Sequence, residues 1–173
     1  MTAAVDVIAA RGPAALSMRD LARQAGVSHA APAHHFGDRT GLLTAIAIEG
    51  YGLLAEELTG APDLRELGVR YVRFALKHPA HFEVMFDADL IRGDDPELAA
   101  ARARTARALR DAVEGVPVER RGPDAALAGV AAWSLAHGMA TLWHNGALRA
   151  RVGSQDPEEV FRSIAVILFP PVR

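Results

Sequence analysis

The sequence predicts an all-helical protein, and three of its features lead to that expectation. Alanine, leucine, arginine and glutamate dominate the composition, and no stretch sustains the alternation of β-branched and polar residues that a half-buried strand requires. Glycine and proline interrupt the apolar periodicity so that about nine helical segments remain. The segments before residue 37 are short, whereas most later ones are long. We therefore expect a small N-terminal domain of three helices over residues 1–48 and a longer helical body over residues 49–173.

The composition limits the classes of protein that this chain can represent. With 173 residues, half of them apolar, the chain can bury one good core. The absence of cysteine excludes disulfides, thiolate catalysis and zinc fingers. A formal net charge of -2 provides no overall basic field, so contact with nucleic acid must depend on a local arrangement of side chains. No apolar run approaches the roughly 20 residues of a membrane span, and no leader is recognisable, so we expect a cytoplasmic protein without membrane contact.

The second segment, "SMRDLARQAG", carries a clear helix start and stop. Ser17 stands three residues before Asp20, which is the spacing of a capping box at a helix N-terminus. Leu21 and Ala22 then provide an inward face, and Gly26 ends the helix. A small residue at position 22, four before the glycine, lets a second helix cross closely.

The third segment, "SHAAPAHHF", completes a helix-turn-helix pattern. Ser28 is expected to cap it after a three-residue turn. Pro32 is acceptable because its missing N–H falls in the first turn, where helical donors have few partners. Ala30 and Ala31 are small, so the N-terminal end of this helix can enter a major groove closely, with its free N–H groups directed at phosphate.

A connecting helix is expected over residues 38–59, and the part of the body that follows it carries an apolar stripe. In "LRELGVRYVRFALKH" and the segment that follows Pro79, apolar and aromatic residues recur at helical spacing, with polar atoms at Tyr71 and His78. Such a stripe fits a packed core, and it also fits the wall of a small-molecule cavity with a few polar groups.

The last two helices are expected over residues 124–147 and 158–169. The first is rich in alanine and glycine and apolar on more than one side, and the second ends in "SIAVILF", which is too apolar to face water alone. Burial on both sides requires a partner, so we expect a dimer interface. The alternative is that "SIAVILF" closes the core of the monomer.

The stretch "AARGPAALSMRDLARQAGVSHAAPAHHFGDRTGLLTAI" resembles the DNA-binding domain of the tetracycline-repressor (TetR) type of bacterial transcriptional regulators, without a gap over about residues 2–48. Further on, "RYVRFALKHPAHFEVMF" and "AWSLAHGMATLW" resemble the C-terminal ligand and dimerisation region of a subgroup named for its Trp-His-Gly signature. That signature is Trp133, His137 and Gly138 here. The two matches stand in the family's order and cover most of the chain.

The resemblance implies a set of DNA-facing residues. Guanidinium groups bind phosphate or guanine, and hydroxyl groups at helix starts bind phosphate. For His35 an alternative stays open, in which the imidazole packs under Phe36. The DNA-facing set is Ser17, Arg19, Ser28, His29, Ala30, Ala31, His34, His35 and Arg39.

The resemblance also implies an effector cavity and a dimer contact in the body. The expected cavity residues are Tyr71, Phe74, His78, Phe82, Met85, Phe86, Trp133 and His137. The expected dimer contacts are Leu135, Leu142, Ile164, Ile167 and Leu168. The effector is then a small, mostly apolar molecule, oriented by hydrogen bonds from Tyr71 or His137.

Two departures from the family bear on DNA binding. Ala33 stands where the family usually has a tyrosine whose hydroxyl meets the DNA backbone, and the first helix is shorter and less basic than in the family. Each phosphate contact that is lost lowers affinity. Either DNA binding is weaker here, or the natural chain begins further upstream.

Together these features predict a ligand-responsive, homodimeric DNA-binding regulator, most simply a repressor. Its expected partners are double-stranded operator DNA, a small-molecule effector and a second copy of the chain. No cofactor, metal or enzymatic activity is expected, because no phosphate loop, dinucleotide fingerprint or catalytic triad is present. Two alternatives stay open: a helical ligand-binding or scaffold dimer that has lost strong DNA binding, and a metal-dependent hydrolase that uses histidines such as His78 and His81.

Overall fold

The computed structural model describes residues 1–28 and 30–168, and for Pro32 and Leu168 it describes the backbone only. Every regular element in these ranges is a helix, which confirms the predicted fold class. The helices number eleven rather than about nine because α8 and α10 are single turns within segments that read as connections. Their bounds are α1 Thr2–Arg11, α2 Met18–Gln24, α3 Ala30–Phe36, α4 Arg39–Leu58, α5 Leu64–Lys77, α6 Pro79–Met85, α7 Pro96–Glu114, α8 Val118–Arg121, α9 Ala125–His144, α10 Arg149–Val152 and α11 Pro157–Leu168, with a 3₁₀ turn at Pro13–Ala15.

The chain divides into two compact units. The first unit combines Met1–Leu53 with His78–Arg102, and the second combines Leu54–Lys77 with the chain from Ala103 onward. Helices α4 and α7 therefore each contribute residues to both units. The functional boundary at residue 48 stays a prediction, because compactness alone does not assign a function.

In the first unit, the helix-turn-helix forms where the sequence predicts it. The Ser17 hydroxyl accepts a hydrogen bond from the backbone N–H of Asp20 at 3.3 Å, which confirms the predicted cap of α2. Ala22 is fully buried where α3 packs against α2. Gly26 has φ of +66°, a backbone conformation that side chains other than glycine adopt at a cost, so the turn requires it.

Helix α6 also belongs to the first unit. It packs against α1 and the 3₁₀ turn, and α1 contributes the buried side chains of Ala4 and Ile8. Gly50 of α4 faces the same helix, and a Cβ added there would lie 2.5 Å from the Met85 sulfur. The connecting helix and α6 therefore approach closely because position 50 carries no side chain.

In the second unit, α5 is the central helix and packs against α9 and α11. The predicted stripe is buried, and Gly68, Val69 and Val72 are buried as well, so α5 is enclosed on more sides than one stripe provides. The ring of Phe161 from α11 lies against Gly68, where a Cβ would overlap it. The close approach of α11 to α5 thus depends on a glycine.

An ion-pair network holds α11 against α5. The Arg73 guanidinium donates to both carboxylate oxygens of Glu158, at 2.7 and 2.6 Å, and to Glu57 at 3.3 Å. Arg162 pairs with Glu66 of α5 at 3.4 Å. The hydrogen bond from Arg73 lowers the pKa of Glu158 below its ordinary value, so this carboxylate stays charged.

Helix α9 leaves a large apolar surface exposed. Leu127 is 66% exposed and Val130, Trp133 and Leu142 are exposed as well. By length and composition alone, α9 is long and apolar enough to cross a membrane, and it is the one such helix in the described residues. This differs from the expectation that no apolar run approaches the length of a membrane span. In α11, Phe161 and Ala165 are buried whereas Ile167 is 79% exposed. Helix α11 is therefore amphipathic, and among the described side chains of "SIAVILF" only Ala165 is fully buried in its own unit.

Candidate functional site

Most of the predicted DNA-facing residues that the structure describes belong to the helix-turn-helix and are exposed or half-buried. Arg19, Ser28, Ala30, His34 and His35 are exposed, and Ser17 and Ala31 are half-buried. The first turn of α3 presents the methyl groups of Ala30 and Ala31, so the helix backbone can approach another surface closely. His29 lies outside the described residues.

The described part of α3 begins at Ala30, and residue 29, directly before it, lies outside the described residues. Ser28 contributes its carbonyl, which accepts from the backbone N–H of Ala31 at 3.0 Å. The cap that the sequence assigns to the Ser28 side chain stays a prediction.

Arg39 and His35, near the end of α3, make contacts within their own unit. Arg39 is half-buried, and its guanidinium donates to the carbonyl of Pro13 at 2.6 Å, which ties α4 to the 3₁₀ turn. The ring of His35 meets that of Phe36 edge-on with centroids 4.4 Å apart, although His35 itself is exposed. Arg39 therefore has a structural hydrogen bond that the sequence did not indicate, and His35 has the ring contact of its structural alternative.

An ion pair joins the loop after α6 to the start of α4. Asp38 accepts from the backbone N–H of Gly41 at 2.8 Å and from the Arg92 guanidinium at 2.9 Å. The Gly41 and Arg92 hydrogen bonds hold the pKa of Asp38 below its ordinary value. The backbone N–H of Arg92 also donates to the Thr44 hydroxyl at 2.9 Å. Asp38 stands two residues after the end of α3, so the pair with Arg92 holds the connection between α3 and α4, and no local pattern in the sequence pointed to it.

Four of the predicted effector residues belong to the second unit. Tyr71 and Phe74 are buried, His137 is half-buried and Trp133 is 44% exposed. The Tyr71 hydroxyl lies 2.9 Å from Nδ1 of His137, and the Trp133 indole N–H donates to the same hydroxyl at 3.4 Å. Indole nitrogen is a donor only, so the Tyr71 oxygen accepts from Trp133, and the direction of its bond to Nδ1 depends on the tautomer of the imidazole. Tyr71 and His137, which were expected to act as separate polar groups, thus belong to one hydrogen-bonded cluster with Trp133.

Burial lowers the pKa of His137 below its ordinary value. The imidazole is therefore neutral near pH 7 and has both a donor and an acceptor nitrogen. A neutral phenol, indole and imidazole beside the apolar ring of Phe74 suit the polar end of a mostly apolar molecule better than they suit an ion.

The other four predicted effector residues belong to the first unit. Met85 and Phe82 are buried, Phe86 is half-buried, and the rings of Phe82 and Phe86 lie 5.2 Å apart. The Tyr51 hydroxyl donates to the carbonyl of Met85 at 3.2 Å. These side chains fill the interior of their own unit, as the core interpretation of the stripe expects, and a role in effector binding stays a prediction for them.

His78, the fourth of these residues, stands at the N-cap of α6, with its ring 5.8 Å from that of His81. His81 is buried, and its Nε2 lies 3.2 Å from a carboxylate oxygen of Glu49. Among the residues that the structure describes, no group of three or more His, Asp or Glu side chains is placed to hold a metal ion. The sequence did not indicate the partnership of His81 with Glu49, which joins residues 32 positions apart.

The predicted dimer contacts differ in exposure. Leu142 and Ile167 are exposed, whereas Leu135 and Ile164 are half-buried. The side chain of Leu168 lies outside the described part of the chain. Leu127, Val130, Gly138 and Leu142 share one face of α9 by their spacing, so the exposed apolar surface extends further toward the N-terminus of α9 than the predicted contacts do.

A cavity of about 480 Å³ lies in the second unit, between the start of α5 and the end of α7. None of the predicted effector residues lines it. The sequence could not indicate this cavity, because its wall combines a loop, two helix ends and a single-turn helix that are distant along the chain.

Comparison with known families covers most of the chain. Residues 1–46 match the model for bacterial regulatory proteins of the tetR family, and residues 64–168 match the model for a tetracyclin repressor-like C-terminal domain. No curated protein matches the sequence.

Solved structures of bacterial proteins share the fold over nearly the full length. A protein with unknown function from Rhodococcus sp. RHA1 is 29% identical with a TM-score of 0.79, covering 96% of this chain and 90% of its own. The TetR family transcriptional regulator PfmR from Thermus thermophilus is 28% identical with a TM-score of 0.71, covering 95% and 94%. AibR, solved in complex with isovaleryl coenzyme A and operator DNA, is 19% identical with a TM-score of 0.67, covering 98% and 95%, and shows the fold alone.

Proposed function

Because this chain belongs to the TetR family of bacterial transcriptional regulators, we propose that it represses transcription as a homodimer on operator DNA until a small, mostly apolar effector releases it. The family and its characterised structural relatives are regulators and not enzymes, and we extend that to this chain. The observation that carries the proposal is the exposed helix-turn-helix, whose second helix begins with two alanines and continues with two exposed histidines. We place its action in the cytoplasm, where operator DNA is accessible.

The DNA-facing side follows from exposure and chemistry. Arg19 is exposed near the start of α2, where a guanidinium can reach phosphate or guanine. Ala30 and Ala31 allow the end of α3 to lie deep in the major groove, and His34 is exposed one turn further on. We include Ser17, Ser28, His29, His35 and Arg39 in the surface that faces DNA.

The homodimer is supported by the exposed face of α9. A glycine inside a helix costs about 1 kcal/mol relative to alanine. A Cβ added at Gly138 would meet nothing within 4 Å in the described chain, so nothing in its own chain requires the glycine. A second copy that packs closely against the face carrying Leu127 and Leu142 would explain why position 138 is a glycine. This partner, rather than a membrane, would cover the apolar surface of α9.

Effector release requires two states of the dimer. A dimer that spaces its two recognition helices by one turn of DNA, about 34 Å, binds both half-sites. We propose that the effector binds at the Tyr71, Trp133 and His137 cluster and favours another spacing, so that operator affinity falls by about 1 to 3 kcal/mol. We also assign the chain to the Trp-His-Gly subgroup, because Trp133 and His137 of that signature meet at Tyr71.

The test measures binding to the DNA upstream of the chain's own gene by fluorescence anisotropy, with Arg19→Ala and the control Arg110→Ala. Arg110 is an exposed arginine of α7 in the second unit. We expect wild type and the control to bind equally, and Arg19→Ala to lose about 1 to 3 kcal/mol of affinity with an unchanged melting temperature. Equal affinity of all three proteins would remove α2 from the DNA interface.

A second function is favoured by one observation. Ala33 is exposed on α3 where the family's backbone-contacting tyrosine stands, so a scaffold dimer without strong DNA binding is the alternative. If the wild type shows no sequence-dependent binding and Ala33→Tyr restores none, the scaffold function is correct. A gain of affinity in Ala33→Tyr would show that α3 docks as in the family.

A further inference from the structure

The cavity of the second unit has the size and the wall of a small-molecule site. Its volume of about 480 Å³ lies within the roughly 300 to 1,000 Å³ typical of such sites. The α4–α5 loop, the start of α5, the end of α7 and the single-turn helix α8 form it. Its wall is about equally polar and apolar, and the apolar part includes Leu58, Leu64, Leu67, Ala108, Ala112 and Val116.

The apolar part of this wall is continuous with the core. Leu58, Leu64 and Leu67 are buried, and Val116 packs against the cluster that Leu64 forms with Val113. A hydrocarbon chain that enters the cavity would therefore exchange water for side chains that are already held in place, which favours binding.

One polar group of the cavity lacks a partner. The Nε atom of Arg120 is covered by protein and finds no acceptor among the described residues. The neighbouring Arg121 is satisfied, since it donates from Nε to the Val116 carbonyl at 3.0 Å and from Nη1 to the Gly122 carbonyl at 3.1 Å. The segment can thus supply acceptors to a guanidinium, but it supplies them to Arg121. Nε itself has no surface open to the cavity, so a ligand would reach the Arg120 guanidinium at its terminal nitrogens.

The other polar lining groups are occupied or face solvent. Asp63 accepts from the backbone N–H of Glu66 at 2.8 Å and so caps α5, and the Thr59 hydroxyl donates to the Ala55 carbonyl at 2.8 Å. Asp111 is exposed. Two carboxylates and one guanidinium line the cavity, so Arg120 is the lining group that attracts an anion, and it can bind a carboxylate in a bidentate way.

We propose that this cavity binds an amphiphilic monocarboxylate, with the hydrocarbon chain against Leu58, Leu64 and Leu67 and the carboxylate on Arg120. The proposal deepens the proposed function, on which it rests in one respect: the bound acid acts as an effector. Leu67 lines the cavity and Tyr71 lies one turn further along the same helix, so this acid would be a second effector that acts through α5, beside the effector proposed at the Tyr71 cluster.

The test uses three probes with the same chain and different heads: octanoate, octanol and octylammonium, each titrated by calorimetry into the full-length protein. We expect octanoate to bind about tenfold or more tighter than octanol, since a hydrogen bond to a charged group contributes that much. Absent octanoate binding, equal binding of octanoate and octanol, or tighter binding of octylammonium would overturn the proposal.

Variants then assign the binding to Arg120. In Arg120→Met, octanoate should lose its advantage over octanol, while the melting temperature stays the same or rises because an unsatisfied donor is gone. The exposed Arg110→Met, which does not line the cavity, should change neither quantity. Unchanged octanoate binding in Arg120→Met would overturn the proposal. If that variant does not fold, Ala108→Leu, which fills the cavity, should abolish binding of octanoate and octanol alike, and full binding there would overturn it.

Operator DNA separates this inference from the proposed function. Octanoate binding that follows these expectations supports the site even if the protein binds no operator, in which case only the effector role fails. Operator binding by a protein that ignores octanoate leaves the repressor function standing and overturns the site.

Discussion

The guanidinium of Arg39 joins the beginning of α4 to the 3₁₀ turn after α1, through the carbonyl of Pro13. Arg19 of the same unit is exposed at the start of α2, where its side chain extends from the helix surface. The family resemblance assigns DNA contacts to both arginines, but Arg39 also makes a structural hydrogen bond, whereas Arg19 is exposed. His137 differs from the exposed histidines of α3 in its burial, which lowers the pKa of His137 below its ordinary value.

Replacement of Arg39 by alanine is expected to lower both stability and operator affinity. The half-buried hydrogen bond to Pro13 is charge-assisted, and its loss should reduce the free energy of unfolding by about 1.5 to 3 kcal/mol. Thermal unfolding measures this, with Arg19→Ala as the control that should melt like wild type. A melting temperature of Arg39→Ala equal to that of wild type would mean that the bond contributes no net stability.

His137 is expected to make the protein less stable in mild acid. Its pKa is lowered from 6.5 in the folded state, so the unfolded chain binds a proton first as the pH falls. The contribution of His137 to stability is fully present above pH 6.5. It is lost as the pH falls from there toward the lower pKa that His137 has in the folded protein. Urea unfolding at a series of pH values should show this decline, and His137→Gln should show less of it. Identical pH profiles for the two proteins would assign the decline to other groups.

At the scale of elements, two helix contacts depend on glycine. Gly50 lets α4 meet α6 at Met85, and Gly68 lets α5 meet the Phe161 ring of α11. The second contact is reinforced by Arg73, whose bidentate pair with Glu158 holds the same two helices. Helix α11 is therefore held to α5 on one side, while Ile167 on the other side is exposed.

Gly68→Ala is expected to be destabilising by about 1 to 3 kcal/mol, since the new methyl group overlaps the Phe161 ring and the core must shift. Gly52→Ala provides the control. It also replaces a helical glycine, but its Cβ meets nothing within 4 Å, so it should stabilise by about 0.5 to 1 kcal/mol. Chemical denaturation of both variants measures the difference. A stabilising Gly68→Ala would show that α11 can move away from α5 at no cost.

For the whole molecule, the exposed apolar face of α9 and the exposed Ile167 of α11 are the surfaces through which two copies would meet. In the function that we propose, the dimer has two roles. It doubles the number of operator contacts, and it converts a change in each body into a change in the spacing of two recognition helices.

Ile167→Glu is expected to convert the dimer to a monomer and to abolish cooperative operator binding. A charge buried without a partner in the interface costs several kcal/mol, whereas the exposed side chain contributes little to the fold of its own chain. Sedimentation velocity measures the assembly, and Ala106→Glu, at an exposed position of α7, is the control. A persistent dimer in Ile167→Glu would place the contact elsewhere. The stronger double variant with a charge at Ile164 also disturbs a half-buried side chain, so it is less specific.

Local patterns in the amino-acid sequence were enough to predict the helical fold, the cap at Ser17, the turn at Gly26 and the exposed first turn of α3, because these depend on interactions within a few residues of the chain. The same holds for the burial of most of α5, which its apolar periodicity encodes.

Which distant groups meet depended instead on the packing of the helices. That packing joined Tyr71 to His137 across 66 positions and Arg92 to Asp38 across 54, and it left the Nε atom of Arg120 without an acceptor beside a cavity. It also divided the predicted effector residues between two units, so that Met85 became a core residue of the first. Periodicity predicts which face of a helix is buried, but the partner on that face depends on how helices far apart in the chain pack together.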